Sequence, residues 1–438
     1  MDLPSYLKPL LGPKTRVEET HIDYVLIGPK YAYKIKKPVK FSFVDFSTLA
    51  RRKRFCEEEV NLNRRYSPSL YLGVVPIEEN GKIVDYAVKM KALPAKKRLD
   101  ILLHQNKVTR PMIRTIAKEV WRFHKKAKPV SGQLYNNFND ILPFIGRTIN
   151  QTTYYKIKSF TDSFLHHNRQ LLARRVKKDL HGDLHSNNIF YLDKPYIFDC
   201  VEFNPKLRHI DPAAEISFLL MDLEFNKREE LAKEFLAAYI SESRDYAALK
   251  LINFYKCHYA CVRGLIASLA KDHRTAKKYF KLAEKYASGR PLLIAIGGMI
   301  GTGKSSLAGK LGKKLDLPVL NSDRVRKDLA GRGPRLYTPA FTKKAYSSLL
   351  SRGETMLDQK NGVILDATFS PPGVRQKLIA LSKRKKADLN FIELTAPPKT
   401  LLKRLRQRKK GLSEAGPELL PYFIENYRSP KEFPVIKP

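Results

Sequence analysis

The chain has 438 residues, of which 43% are hydrophobic and 10% aromatic, and its formal net charge at pH 7 is +39. Because this length exceeds one ordinary hydrophobic core, we expect two domains, and the apolar content excludes a mainly disordered protein. The excess of lysine and arginine favours polyanionic partners such as nucleic acid, nucleotides or acidic metabolites and disfavours cationic substrates, unless it reflects a globally basic or heat-adapted proteome.

Targeting and redox features indicate a cytoplasmic protein. Residues 1–7 show no basic segment followed by an apolar stretch, so no signal peptide is expected. The longest apolar run, residues 291–301, is far shorter than the roughly 20 residues of a membrane helix, so no membrane partner is expected. The cysteines show neither a C-x-x-C pair nor dense disulfide spacing, and we expect reduced thiols at Cys56, Cys200, Cys257 and Cys261.

The first part of the chain is predicted to begin with strands and to continue with helices. Alternating apolar residues predict strands at residues 24–27, 31–35, 72–77 and 86–90, with a hairpin turn at Asn80-Gly81 and one helix at residues 47–65. Helical patterns follow at residues 113–126, 141–150, 161–178, 213–225, 229–241 and 246–286. This order predicts a β-rich lobe at about 20–95 and a helical lobe at about 96–288.

A second domain is predicted to begin at residue 289. Gly289 and Pro291 end the long helical pattern, and an apolar strand at residues 292–296 starts afresh. That strand leads into a G-x-x-x-x-G-K-[ST] motif, whose backbone N–H groups cradle phosphates at the start of a helix while its lysine bridges the β- and γ-phosphates. The residues predicted to bind the nucleotide are Gly298, Gly301, Gly303, Lys304, Ser305 and Ser306.

Magnesium ligands are predicted from the same motif and from a later strand. The hydroxyl of Ser305 occupies the metal-binding position of the P-loop. Residues 363–366 read as an apolar strand that ends in Asp366, from which a carboxylate can reach the metal directly or through water. Downstream of the P-loop, Asp323 and Arg326 follow an apparent second strand, where an acceptor would lie.

A second constellation lies in the first two-thirds of the chain. In the segment His181-Gly-Asp183-Leu-His-Ser-Asn-Asn188, Asn188 lies five residues after Asp183. A short predicted strand further along the chain ends in Asp199. Phosphoryl transfer explains this set, since one aspartate accepts the hydroxyl proton while the asparagine and the second aspartate bind Mg²⁺.

The H-G-D-x-H-x-x-N pattern resembles the catalytic loop of the aminoglycoside phosphotransferase and choline kinase group, distant relatives of protein kinases. The resemblance, over about residues 23–286, implies that Asp183 is the base, that Asn188 and Asp199 are metal ligands and that His181 braces the loop. It further implies a phosphate-binding lysine at Lys34, with Lys36 or Lys37 as alternatives, paired with Glu59 or else Glu58. Met90 would lie in the hinge that meets adenine. Where protein kinases have Phe-Gly after the second aspartate, this chain has Cys200-Val201. No glycine-rich loop is evident in the sequence, and Gly28 is the only candidate for one.

The last third, about residues 292–428, resembles small P-loop kinases related to polynucleotide kinase, zeta-type toxins and gluconate kinase. The resemblance implies that Asp323 is the base, that Arg326 contacts the substrate and that Arg404 or Arg408 serves as a lid arginine. Asp323 as a helix N-cap and the arginines as surface charge are the ordinary alternatives.

The whole chain resembles bacterial proteins that join an aminoglycoside phosphotransferase-like domain to a P-loop kinase or ATPase domain. The expected fold is an α+β protein-kinase-like bilobal domain at residues 1–288 and an α/β P-loop NTPase domain with a parallel sheet at residues 289–438. We expect two nucleotide sites that use ATP and Mg²⁺ to phosphorylate a hydroxyl of a small or anionic acceptor, because the +39 charge disfavours aminoglycosides. The alternatives are an ATP-driven nucleic-acid-binding switch and a polynucleotide 5′-hydroxyl kinase with aromatic residues in its acceptor cleft; the oligomeric state is left open.

Overall fold

The computed structural model of the protein describes residues 4–10, 12, 14–41, 44–131, 138–330, 338–360, 362–407 and 416–438. Arg408, one of the two predicted lid arginines, lies outside these residues. The chain divides into two compact units, one formed by Met1–Asn136 with Arg175–Leu231 and the other by Asn137–Arg174 with Ala232–Pro438. The domain boundary predicted at residue 289 lies inside the second unit and stays a prediction.

The first unit is built on an antiparallel five-stranded sheet of order β1-β2-β3-β7-β6, together with smaller sheets. Its strands are β1 Arg16–Glu19, β2 Asp23–Ile27, β3 Tyr31–Lys36, β4 Lys40–Phe41, β5 Val44–Asp45, β6 Tyr71–Glu79, β7 Lys82–Lys91, β8 Pro129–Val130, β9 Lys177–Asp179, β10 Ile189–Tyr191, β11 Pro195–Ile197 and β12 His209–Ile210. Its helices, numbered along the whole chain, are α1 Leu49–Arg64, α2 Leu99–His104, α3 Arg110–Lys126, α7 Pro205–Arg208 and α8 Pro212–Phe225.

Helix α1 packs on the large sheet of the first unit. Thr48 caps its N-terminus by accepting a hydrogen bond from the backbone N–H of Arg51. Cys56 and Val60 point from α1 into a buried cluster with Val88 and Met90 of β7, so apolar burial fixes which face of the helix meets the sheet. The predicted hairpin turn between β6 and β7 is confirmed, because both Asn80 and Gly81 have positive φ angles, as a type I′ turn requires.

The second unit contains a group of helices followed by a parallel sheet. The helices that precede the sheet are α4 Phe138–Ile145, α5 Gln151–His167, α6 Arg169–Ala173, α9 Glu229–Ser243, α10 Ala248–Leu269 and α11 His273–Ala287, of which α9 begins in the first unit. The long helix predicted at residues 246–286 is wrong. Lys271 takes a left-handed conformation, and Asp272 caps a new helix through the N–H of Thr275, so α10 and α11 are separate.

The helix predicted at residues 161–178 is also misplaced. Helix α5 begins earlier, where Asn150 accepts a hydrogen bond from the N–H of Thr153, and it ends at His167. Residues 177–179 form β9, which pairs with β8 and β12. Tertiary strand pairing therefore outweighs the local helical pattern at this point.

The parallel sheet has the order β14-β15-β13-β16-β17, with every neighbouring pair parallel. Its strands are β13 Leu292–Gly297, β14 Val319–Asn321, β15 Gly362–Asp366, β16 Asp388–Glu393 and β17 Val435–Ile436. The helices around it are α12 Lys304–Leu315, α13 Ser322–Ala330, α14 Pro339–Lys360, α15 Pro372–Arg384, α16 Pro398–Arg406 and α17 Leu420–Asn426. Strands β13 and β15 are buried along their whole length, which explains their unbroken apolar sequences.

The observed architecture agrees with the predicted fold class: the first unit is α+β on an antiparallel sheet, and the second contains an α/β arrangement with a P-loop and a parallel sheet. In open sheets of the second kind, ligands bind beyond the carboxyl ends of the strands, where the loops after β13, β14 and β15 meet. None of the helices in the described part of the chain is both long and apolar enough to cross a membrane.

Candidate functional site

Lys34 lies among carboxylates in the first unit. Its Nζ is 3.1 Å from Oε1 of Glu59 on α1 and 2.6 Å from Oδ1 of Asp199. Burial alone lowers the pKa of Lys34, but the carboxylates of Asp199, Asp23 and Glu59 outweigh it and hold this pKa well above its usual value. Lys34 is therefore the charged lysine that faces Asp199.

The alternatives that the sequence leaves open occupy other places. Lys36 pairs with Glu59 at 2.8 Å, closer than Lys34 does, but its side chain is 0% exposed and cannot meet a ligand. Lys37 pairs with Glu19, 2.5 Å away. Glu58 contacts Arg208, at 3.3 Å, and not the lysines of β3. The geometry thus favours Lys34 and Glu59 over the alternatives.

His181 connects the two loops that carry the predicted catalytic residues. Its Nε2 lies 2.8 Å from the carbonyl oxygen of Phe198, and its Nδ1 accepts a hydrogen bond from the backbone N–H of Asp183. The ring therefore carries its proton on Nε2. Burial lowers the pKa of His181, which keeps the ring neutral. These contacts are those that a bracing role requires.

Asp183 and Asn188 are in direct contact. The side-chain nitrogen of Asn188 donates to Oδ2 of Asp183 at 3.0 Å and to its carbonyl oxygen at 2.9 Å. Because the nitrogen faces Asp183, the amide oxygen of Asn188 is the atom suited to a metal ion. Asp183 itself is partly exposed, as a residue that meets an acceptor must be.

Asp199 follows the β10–β11 hairpin, which brings it beside Asn188. The N–H of Phe198 donates to the carbonyl oxygen of Asn188, at 3.1 Å. Asp199 has a φ of 65°, a left-handed conformation that is costly for a residue other than glycine. Its N–H donates to the hydroxyl of Tyr71, so neighbouring groups stabilise this strained backbone.

The end of helix α1 is fastened to the loop that contains Asp199. Oδ1 of Asn63 accepts a hydrogen bond of 2.8 Å from the N–H of Cys200, and the hydroxyl of Ser67 donates to the carbonyl of Ile197, also at 2.8 Å. Both interactions are buried. They join the helix that carries Glu59 to the strand end that carries Asp199.

Glu215 of α8 is a site residue that sequence reasoning missed. Its Oε1 accepts hydrogen bonds from the N–H groups of His181, at 2.6 Å, and Gly182, at 3.0 Å, while its Oε2 lies 2.6 Å from Nε2 of His124. Burial raises the pKa of Glu215, but His124 and these donors outweigh it and lower the pKa. A buried ionised carboxylate thus orients the loop that contains His181 and Gly182.

Met90 is buried in β7 and packs with Cys56, Val60 and Tyr71. A role in a hinge that meets adenine stays a prediction for this residue.

In the second unit, the P-loop joins β13 to α12 with the conformation that its motif predicts. Gly298 has a φ of 132°, and a Cβ there would collide with the carbonyl oxygen of Leu394. Gly303, with a φ of 94°, precedes the first residue of α12. Nζ of Lys304 donates to the carbonyl oxygen of Met299 at 2.7 Å, so the ammonium lies over its own loop, and Ser306 is exposed in the first turn of α12.

Ser305, Asn321 and Asp366 meet at the carboxyl end of the sheet. The side-chain nitrogen of Asn321 donates to Oδ2 of Asp366 at 2.6 Å and to Oγ of Ser305 at 3.3 Å. Burial raises the pKa of Asp366, although Ser305 and Lys304 oppose that shift. Asn321, to which sequence reasoning gave no role, links the two predicted metal ligands.

The predicted acceptor residues lie at the start of α13. Oδ1 of Asn321 accepts hydrogen bonds from the N–H groups of Asp323, at 2.9 Å, and Arg324, at 3.0 Å, so Asn321 and not Asp323 caps this helix. Arg326 is buried, and its Nη1 donates to the hydroxyl of Thr342 at 3.2 Å. The structure therefore disfavours the reading of Asp323 as a cap and of Arg326 as surface charge.

One cavity of about 980 Å³ joins these groups. Predicted residues that line it are Gly301, Gly303, Lys304, Ser305, Ser306, Asp323, Arg326, Asp366 and Arg404. Leu419, Tyr422, Phe423, Asn426 and Arg428 of the C-terminal segment also line it, and sequence reasoning gave none of them a role. The volume suits a nucleotide together with a small second ligand.

The chemistry of the residues fits magnesium in both units. Within the described ranges, no group of three or more His, Cys, Asp or Glu side chains is suited to hold a metal by itself. Magnesium is instead bound by one or two carboxylates together with phosphate oxygens and waters. Asp199 with Asn188, and Asp366 with Ser305, offer this kind of partial ligand set.

The chain thus combines an α+β unit that contains the Lys34–Glu59–Asp199 ion pairs with an α/β unit that contains a P-loop and a parallel sheet. Residues 293–422 match the family model described as an AAA domain. Uncharacterized proteins of Mycobacterium tuberculosis and Mycobacterium bovis are 29% identical to this chain over 446 residues, which cover 93% of it and 89% of each relative.

Two solved structures show weaker likeness. A gluconokinase from Sinorhizobium meliloti is 20% identical over 34% of this chain and 81% of its own, with a TM-score of 0.27. A GDP complex of aminoglycoside 2′-phosphotransferase-IIIa is 10% identical over 63% of this chain and 92% of its own, with a TM-score of 0.42.

Proposed function

We propose that this chain is an ATP- and magnesium-dependent phosphotransferase with two nucleotide sites, each of which transfers a γ-phosphoryl group to a hydroxyl acceptor. The observation that carries the proposal is the cavity of about 980 Å³ in the second unit. It is lined both by Lys304 and Ser305 of the P-loop and by Asp323 and Arg326. A nucleotide site and a proton acceptor that line the same cavity favour transfer to a second molecule over simple nucleotide binding.

In the second unit, each residue has a part in this reaction. Lys304 would exchange the carbonyl of Met299 for the β- and γ-phosphates, and Asp323 would accept the proton of the attacking hydroxyl. Arg326 and Arg404 would neutralise charge on the acceptor and on the transferred group. Bound Mg²⁺, held by Ser305 and Asp366, would supply further charge neutralisation at the phosphate oxygens.

In the first unit, Asp183 would accept the proton, and Lys34 would bind phosphate oxygens. Asn188 fixes the carboxylate of Asp183 through the hydrogen bond between their side chains, and His181 fixes its backbone. Asn188 and Asp199 would hold Mg²⁺.

The cavity of the second unit supports a small anionic acceptor. Arg326 and Arg428 bring positive charge to its lining, while Thr342, Thr368 and Ser370 bring hydroxyl groups. The net charge of +39 agrees with an anionic ligand. All four cysteines are buried free thiols, which supports a reducing, cytoplasmic location.

The test uses γ-labelled ATP with a panel of sugars, sugar acids, sugar phosphates, nucleosides and oligonucleotides. Wild-type protein is compared with Asp183→Ala, Lys304→Ala and the double variant. Each single variant should lose one group of labelled products, and the double variant should lose all of them. Label transfer that survives the double variant, or none in the wild type with any acceptor, contradicts the proposal.

A polynucleotide 5′-hydroxyl kinase is the second candidate. The observation in its favour is that Tyr422, which is 62% exposed, and Phe423 line the cavity as possible stacking platforms. This candidate requires labelling of 5′-hydroxyl oligonucleotides that falls in Tyr422→Ala. Salt-dependent oligonucleotide binding with ATP hydrolysis, but without labelled product, would indicate an ATP-driven nucleic-acid-binding switch instead.

A further inference from the structure

Lys36 is a second buried lysine beside the kinase-like site. It lies two residues after Lys34 on β3 and so points to the same face of the sheet. Its side chain is 0% exposed. An ammonium group buried this completely is stable only when carboxylates surround it closely.

Three carboxylates surround Lys36. Its Nζ lies 2.8 Å from Oε2 of Glu59 and 3.6 Å from Oδ1 of Asp23, and it forms a close ion pair with Glu202. Glu59 divides its two oxygens between the lysines, since its Oε1 lies 3.1 Å from Nζ of Lys34. The two ammonium groups therefore share one central glutamate.

We propose that Lys36 is a positioning residue for the kinase-like site, which neutralises Glu59 and Glu202 so that Lys34 is available to the phosphates of the nucleotide. Lys36 does not touch the nucleotide in this role. The inference rests on the proposed function of the first unit.

Charge balance around Lys34 supports this role. Four carboxylates, those of Asp23, Glu59, Asp199 and Glu202, face only two ammonium groups. Without Lys36, Lys34 would be the one ammonium group near the three carboxylates that Lys36 now contacts. Coulomb attraction inside a protein is strong at such distances, so Lys34 would be held among carboxylates and would bind phosphates less well.

Lys36 also links the loop that carries Asp199 and Glu202 to the large sheet. Glu202 follows Asp199 by three residues, and its partner Lys36 belongs to β3. Burial raises the pKa of Glu202 to about 7 even though the ammonium of Lys36 opposes the shift, so without Lys36 this carboxylate would be protonated more at neutral pH and the ion pair between the two would be lost. Loss of the tie would loosen the loop that carries Asp199 and raise the magnesium concentration that nucleotide binding requires.

The experiment uses full-length Lys304→Ala protein, in which the P-loop site is disabled, and a fluorescent N-methylanthraniloyl ATP as the probe. Probe affinity and half-saturating Mg²⁺ are measured for Lys36→Met, Lys36→Met/Glu202→Gln and Lys37→Met in this background. We expect Lys36→Met to raise the Kd of the probe at least about tenfold. The double variant, which also loses one carboxylate, should return to within about threefold of the background. The matched control Lys37→Met should not change the Kd.

A folded Lys36→Met protein with unchanged Kd and unchanged Mg²⁺ requirement overturns the proposal. If Lys36→Met does not fold, as judged by circular dichroism, the single variant Glu202→Gln takes its place. Its half-saturating Mg²⁺ concentration should rise at least about threefold. An unchanged Mg²⁺ concentration overturns the positioning role. A background protein that binds no probe, or one in which Lys34→Met has no effect, overturns the nucleotide site itself and this role with it. That result is distinct from normal binding that is insensitive to Lys36.

Discussion

Arg375 and Glu432 form a bidentate ion pair in the second unit: Nε of Arg375 lies 3.0 Å from both carboxylate oxygens, and its Nη2 lies 2.8 Å from Oε1. The same guanidinium donates through Nη1 to the carbonyl oxygens of Phe369 and Arg428. One buried side chain thus joins the loop after β15 to the C-terminal segment, and both of these segments line the cavity.

Arg375→Met should therefore destabilise the second unit. The change removes the guanidinium partner of Glu432 and the shared donor of three backbone carbonyls, those of Phe369, Ser370 and Arg428, for which we expect a loss of about 3 kcal/mol in the free energy of unfolding. Urea unfolding measures this loss. Arg384→Met is the matched control, because Arg384 pairs with Glu354 at the surface, and it should change the stability by less than about 0.5 kcal/mol. Equal stabilities of the two variants would contradict the prediction.

Glu215→Gln should impair the kinase-like site and leave the P-loop site intact. The N–H groups of His181 and Gly182 lose a charged acceptor, so the catalytic loop becomes less well oriented. We expect kcat in the Lys304→Ala background to fall on the order of 10²-fold. Product analysis with labelled ATP measures the effect, and Glu119→Gln, at an exposed pair with Arg122, is the control. A change confined to the products of the P-loop site would refute this assignment.

Asp366→Asn should affect stability and activity in opposite directions. Since burial raises the pKa of Asp366, the ionised carboxylate disfavours the folded state without ligand, and its removal should raise the Tm. Activity at the P-loop site should fall by at least about 10²-fold, because a magnesium ligand is lost. Calorimetry and the labelled ATP assay test the two halves separately. A lower Tm would show that Asp366 stabilises the fold in the absence of ligand.

His258 should make the second unit less stable in acid. Burial lowers its pKa from 6.5 to about 3, so between these values the unfolded chain binds a proton that the folded protein does not. The contribution of His258 is therefore complete above about pH 6.5 and is lost as the pH falls, by about 1.4 kcal/mol per pH unit. His258→Phe should flatten the change in stability between about pH 5 and pH 7.5, whereas the exposed His166→Phe should not.

Residues with a local reason for their position were predictable from the sequence. The P-loop and the segment from His181 to Asn188 have residue spacings that phosphate binding and phosphoryl transfer require. Asn80 and Gly81 are residue types that tolerate the positive φ angles of their hairpin turn. Glu202 could not be predicted, because its partner Lys36 lies 166 positions away in the chain. Glu215 has the same difficulty, since it reaches the loop at His181 from a helix 34 positions further along the chain.

The two helix errors have physical reasons of their own. The break between α10 and α11 depends on one left-handed residue, Lys271, which apolar periodicity does not detect. The strand at residues 177–179 depends on partners at residues 129–130 and 209–210. Such pairings belong to the folded chain and not to any one segment.

The fastening of helix α1 restricts how the kinase-like site can be controlled. The hydrogen bonds from Asn63 and Ser67 to the Asp199 loop mean that an outward swing of this helix would expose unpaired backbone groups at Cys200 and Ile197. An inactive conformation in which helix α1 moves Glu59 away from Lys34 would therefore be high in free energy. Any regulation of the proposed site would therefore act on ligand binding, since the ion pair between Lys34 and Glu59 forms without a ligand.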